Sequence, residues 1–176
     1  NFPDRIKDVG VLLDLSIHDI DIIRYLMGSE IISIYSTGGR HNDTVFEDHV
    51  AVSMNFKNGK IGICETNWLT PMKVRELGIT TTTHYIRLDY IKQEIEISTS
   101  LFKKIDYSNL YLLPMEIKKQ RISLQGQEPL KREIFDFLNA VSTGTPPLVS
   151  GEDGLKAVEI IESAIESLNS KTVIEL

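Results

Sequence analysis

The chain has 176 residues, with 19 basic against 25 acidic side chains, a formal net charge of −6, 41% hydrophobic and 25% charged residues. That composition suits a globular protein with a sizeable core and excludes an extended disordered chain. It also argues against a dedicated nucleic-acid binder, which needs a basic face for phosphates, and no run approaches the roughly 20 apolar residues that span a bilayer.

The single cysteine, Cys64, leaves no internal disulfide and fits a reducing compartment, so the chain reads as cytoplasmic, with no secretory leader in view. Its opening, NFPDRIKDVG, lacks an initiator methionine and runs almost directly into a helix. The middle of a longer polypeptide, or a processed one, would look like this.

In chain order, GVLLDLSIHDIDIIRYLMG spaces Val11, Leu12, Leu15, Ile22, Ile23 and Leu26 at helical period, and Gly28 stands where a left-handed C-cap is expected. From Glu30 the texture is β-branched and aromatic with period-two stretches, through EIISIYSTGG, DHVAVSMNFKNGKIGICETNWL and RELGITTTTHYIRLDYIKQEIEIS. Within it, Asn58-Gly59 predicts a two-residue type I′ hairpin turn. NLYLLPMEIKK reads as a strand with Pro114 at an edge or bulge, and ISLQGQEPL as a strand leading into a loop. EPLKREIFDFLNAVST returns to helical spacing, with Leu130, Ile134, Phe137, Leu138 and Val141 on one face, and ends at Gly144 and Pro146-Pro147. Ser150 is a suitable N-cap for a last helix with acidic residues in its first turn. TVIEL closes the chain as a short strand.

Strands grouped together with helices grouped apart indicate one α+β domain over residues 1–176, an open, mainly antiparallel sheet with helices packed on one face. The other face is then wetted or covered by a partner.

The polar residues inside the first helix are the chemical signal. Spacings of four and three put Asp14, His18 and Asp21 on one helical face. An imidazole there can take or give a proton near neutral pH, and Asp14 one turn earlier can orient it or hold a substrate hydroxyl. The same spacing also allows a plain structural stripe, with His18 and Asp21 bonding each other or a nearby loop. A metal site made of these three with His41 or His49 is the weaker reading, because no H-E-x-x-H or cysteine pair accompanies them. Cys64, in an apolar strand, reads as a small core residue. NWLTPMKVR brings Trp68, Thr70, Lys73 and Arg75 to a strand end, where an aromatic face and two cations would suit a sugar or a sugar-nucleotide phosphate, or simply cap a solvated strand. G-x-G-x-x-G, the P-loop and the G-x-S-x-G elbow are all missing, so the chain shows no cofactor cradle of its own.

Asp14, His18 and Asp21 in their setting resemble the G-x-x-x-D-x-x-x-H-x-x-D signature that opens the C-terminal domain of the Gfo/Idh/MocA family of NAD(P)-dependent oxidoreductases. NWLTPMKVRELGIT, LDYIKQEIEI, EPLKREIFDFLNAV and LVSGEDGLKAVEIIESAIES resemble that domain in content and order, over nearly the whole chain. Two departures stand out: Asp8-Val9-Gly10 where the family often has three glycines, and TTTTHY in place of a glycine-containing turn.

The resemblance implies a dihydrodipicolinate reductase-like C-terminal domain of a two-domain enzyme, whose N-terminal Rossmann domain, absent from this chain, binds NAD or NADP. It implies that Asp14 and His18 join a lysine of that domain around the oxidised sugar hydroxyl. Beside them, Trp68, Thr70, Lys73 and Arg75 stand as candidate substrate contacts, and Asp21, also a candidate contact, better suits a structural role that fixes the helix against the sheet or the neighbouring domain. No cofactor and no metal is then expected on this chain alone, which should be inactive. The tone is that of members acting on UDP-N-acetylhexosamines, with a homodimer or homotetramer formed through the sheet face and neither nucleic acid nor membrane as a partner. The competing reading is a non-catalytic dimeric binding or scaffold module of the same fold. That module would bury His18 in a satisfied hydrogen bond, whereas a site would leave its ring open.

Overall fold

A computed structural model describes residues 8–41, 45–102, 115–124, 126 and 128–176 of the chain. The residues group into two compact units, Asn1–Pro71 with Gly144–Leu176, and Met72–Thr143.

The first unit opens with a π-helical turn, Leu12–Ser16, that runs straight into helix α1, Ile17–Met27. Gly28 ends α1 in the left-handed conformation at φ 57°, where a Cβ would cost energy, and donates its N–H to Arg24 O at 3.0 Å. Strands β1 (Ile31–Gly39), β2 (His49–Phe56) and β3 (Ile61–Asn67) form an antiparallel meander. The closing strand, which is β8 (Ile174–Glu175) in chain order, pairs with β1, giving the order β3-β2-β1-β8. Helix α3, Gly151–Ser170, and α1 cover one face of this sheet.

Between those layers lies the core. Val52, Met54, Phe56, Ile31, Ile34 and Cys64 come from the sheet, and Leu12, Ile20, Ile23, Ile160, Ile161 and Ala164 from the helices. Alternate strand residues point away from it, so β2 and β3 show the strict period of two expected of a half-buried sheet. Two buried hydroxyl contacts fasten the layers: Ser16 to Thr66 at 2.5 Å, and Ser36 N–H to Ser167 Oγ at 2.9 Å. The second satisfies a β1 amide in a buried region, where leaving it unpaired would be costly.

The hairpin between β2 and β3 differs from the two-residue expectation. Gly59 N–H donates to Phe56 O and Phe56 N–H to Lys60 O, both at 2.9 Å, and Gly59 has a positive φ of 80° while Asn58 does not. This is a three-residue loop, a type I turn followed by a left-handed glycine. Asn58 instead spends its side chain on Met27 O and on Lys60 N–H, which ties the turn to the end of α1.

The second unit contains a separate antiparallel sheet, β4 (Glu76–Thr80), β5 (His84–Asp89), β6 (Glu94–Phe102) and β7 (Met115–Ser123) in that order. The expected strand run therefore resolves into two four-stranded sheets. Pro114 and the first half of NLYLLPMEIKK lie outside the described residues, while MEIKK and the start of ISLQGQEPL join in the one strand β7. Register places Leu77, Ile79, Ile86, Leu88, Ile95, Ile97 and Ile122 on one face and Glu76, Arg87, Glu96, Lys119 and Arg121 on the other, where Arg87 pairs with Glu76 and both cations with Glu96. Helix α2, Pro129–Thr143, has no buried residue, although its apolar stripe is as expected. In the turn after β4, Thr81 Oγ1 accepts from the Thr83 and His84 N–H groups, the work a glycine turn does elsewhere.

Candidate functional site

The site begins with an unusual helix start. Val11 N–H donates to Glu47 O and Leu12 N–H to Glu47 Oε1, both at 3.0 Å, so the free amides of the first turn are satisfied from the segment before β2 rather than by a local cap. Gly10 makes this possible, because a Cβ there would overlap the Glu47 carboxylate. Of the three glycines usual in the resembling family, the one retained is the one this contact needs.

Asp14 sits inside the π-helical turn, half buried, and accepts a hydrogen bond from the Trp68 indole Nε1 at 3.1 Å. Single-turn π segments are frequent at functional sites because they re-aim the side chains of a helix. His18, on the first turn of α1, is exposed, and among the described residues no hydrogen bond or ion pair holds its ring. Asp21 faces Arg24 at 3.6 Å, and Arg24 also faces Glu30 at 3.7 Å.

The second candidate group is divided. Trp68 and Thr70 belong to the first unit, Lys73 and Arg75 to the second. Asn67 Oδ1 accepts from Leu69 N–H, Thr70 N–H and Thr70 Oγ1 and so freezes the strand end. Thr70 lines a concavity of about 600 Å³ on the sheet face turned away from the helices, with Thr37, His49, Glu65 and Asn67; Asp14 and His18 are not among its lining residues. Lys73 and Arg75 are exposed.

Three features were not read from the sequence. Asp48 is fully buried, accepting from His41 N–H at 2.8 Å and meeting His49 Nδ1 at 2.7 Å. Glu47 holds the helix start. Trp68 turns its polar edge toward Asp14 instead of lying free, a partnership the rule that a half-buried indole N–H finds an acceptor could have suggested. Cys64 is buried, its thiol directed at Asp19 Oδ2 at 3.8 Å, and burial followed by the Asp19 charge pushes it up to about 12. It is an inert core thiol.

A dinucleotide cradle would need free helix N-terminal amides for its phosphates. The Leu12 turn has given its amides to Glu47, and the α3 start is closed by a Ser150–Asp153 capping box with Glu152 beside it. Neither of these two helix starts offers an open set of amides to a dinucleotide phosphate. Among the described residues, no helix is long and apolar enough to cross a membrane.

The family model described as "Oxidoreductase family, C-terminal alpha/beta domain" matches residues 3–176. The chain belongs to the Gfo/Idh/MocA oxidoreductases. This family is NAD(P)-dependent. Myo-inositol 2-dehydrogenase of Thermotoga maritima is 27% identical over 176 residues, covering 95% of this chain and 49% of that protein. UDP-N-acetylglucosamine 3-dehydrogenase of Acidithiobacillus ferrooxidans is 23% identical over 159 residues, covering 89% and 48%. A solved structure of the latter superposes with a TM-score of 0.83 at 22% identity, over 96% of this chain and 52% of that one. An oxidoreductase from Agrobacterium radiobacter, solved with NAD+, L-tartaric acid and magnesium, gives a TM-score of 0.70 at 21% identity over 96% and 51%. The chain thus spans about half the length of the curated relatives it matches. It is the C-terminal α/β domain of an oxidoreductase, with the fold of these dehydrogenases.

Proposed function

We propose that this chain is the substrate wall of a polyol, sugar or sugar-nucleotide dehydrogenase, and that His18 is its proton-handling residue with Asp14 beside it. The observation that carries the reading is the open ring of His18, one turn after a carboxylate fixed in a π-helical turn. A scaffold module would gain nothing from an unpartnered imidazole next to an immobilised acid. Relatives that act on myo-inositol and on UDP-N-acetylglucosamine support a hydroxylated ring as the substrate class.

Hydride chemistry belongs to the nicotinamide cofactor. This chain contributes the proton path. As the alcohol carbon is oxidised, the His18 ring nitrogen accepts the hydroxyl proton, and in the reverse direction it returns that proton to the carbonyl oxygen. Asp14 holds a neighbouring hydroxyl or steadies the imidazolium that forms. The cofactor is held by the remaining half of the enzyme, and copies associate through the open face of the first sheet, where Tyr35, Ile61 and Ile63 are exposed.

In the complete enzyme, His18→Ala is expected to lower kcat by about a hundredfold or more, the usual worth of a positioned acid–base group, with KM changed little. A His18→Ala enzyme that keeps its kcat against both myo-inositol and UDP-N-acetylglucosamine would remove His18 from the reaction.

A further inference from the structure

Trp68 stands just past the end of β3 with both of its N–H groups hydrogen-bonded. Its backbone N–H donates to Asp48 O at 3.0 Å. Asp48 is itself fully buried and anchored through its carboxylate to His41 N–H and the His49 ring. On the other side, the Asn67 side chain closes the following turn through three hydrogen bonds. The partly buried indole packs against the core, and its one polar atom, Nε1, points at Asp14 Oδ2 at 3.1 Å. The indole edge is thus committed to a carboxylate.

We infer that Trp68 is a positioning residue: through the chain Asp48, Trp68, Asp14 it fixes the orientation of the carboxylate next to His18. The inference rests on the dehydrogenase reading for its catalytic consequence, although the hydrogen bond itself does not. One Asp14 oxygen accepts from the indole, which restricts how the carboxylate can turn to meet a substrate hydroxyl or the His18 ring. A hydrogen bond to a charged acceptor is stronger than a neutral one, which suits a contact that must hold a carboxylate still. Asp14 lies within the π-helical turn, a local geometry often found at functional sites.

Trp68→Phe keeps an aromatic ring for stacking and removes the indole donor, together with part of the indole's packing. In the complete enzyme, Trp68→Phe is expected to lower kcat about tenfold with KM within about twofold, the loss of one charged hydrogen bond expressed in the rate. A second readout is independent of activity. In 15N-tryptophan-labelled protein, the indole resonance that disappears in Trp68→Phe should move upfield in Asp14→Asn, because a neutral amide accepts more weakly. An indole resonance unmoved by Asp14→Asn would overturn the hydrogen bond, and a Trp68→Phe enzyme of unchanged kcat would overturn the positioning role. If Asp14→Asn shifts the resonance yet keeps full kcat, the catalytic reading of Asp14 falls, and the role assigned to Trp68 falls with it.

Discussion

Cys64 shows what burial does to one group. Its thiol is held neutral up to about 12 from an ordinary 9.0, first by burial and then by the Asp19 charge. A folded-state value above the unfolded one stabilises the fold fully below pH 9, and that contribution drains away as pH climbs from about 9 toward about 12. The alkaline limb of a melting-temperature profile should therefore be flatter in Cys64→Ala than in the parent. Disulfide reagents at pH 8 should label Cys64 only after unfolding. The polar residues of the opening helix were readable because charge at core-facing spacing is rare enough to stand out. The partners of Asp14 were not: Trp68 lies 54 residues away, and no local pattern encodes a contact that only strand pairing creates. Glu47 and Asp48 escaped for the same reason, since acidic residues before a strand look like ordinary loop polarity.

At the scale of elements, periodicity located the helices and most strands, and local chemistry located their ends. Ser150 and Asp153 form the capping box that the sequence suggested in part, and Gly28 and Gly144 take the left-handed conformation where each helix ends. What periodicity could not give was partition. The strands before the second helix read as one run, but Thr70-Pro71-Met72 separates two sheets, and nothing in a period of two says which strands pair. The type I′ turn failed for a similar reason: Asn58 finds better hydrogen bonds at Met27 and Lys60 in an ordinary conformation than a positive φ would allow. One cap is imperfect. Lys171 closes α3 at φ 59°, donating its N–H to Ser167 O at 2.8 Å. Lys171→Gly should relieve the left-handed penalty, less the extra chain entropy of glycine, for a gain of about 0.5 kcal/mol. Urea unfolding with a raised midpoint and unchanged slope would register it.

For the whole molecule, the decisive fact is that nearly the whole chain matches about half the length of its relatives. Two helix starts that other α/β proteins offer to phosphates are closed here by carboxylates, so these 176 residues should show no heat of NAD(H) binding by calorimetry at micromolar concentrations. Micromolar binding would mean that the division of labour between the two halves is wrong. The apolar stripe of α2 fits the same picture of a domain made to be covered, with Ile134 50% exposed and Val141 68%. The family was readable from the whole because the opening signature and four later segments keep their order; the sugar was not, because relatives with different substrates share that frame.

The most direct test is a structure of the complete enzyme with its nicotinamide cofactor and a hydroxylated substrate bound. The expected result is a His18 ring nitrogen within about 3 Å of the oxygen on the carbon that faces the nicotinamide, with Asp14 still bonded to Trp68. A substrate whose reacting oxygen is met by other side chains while His18 stays turned into solvent would contradict it.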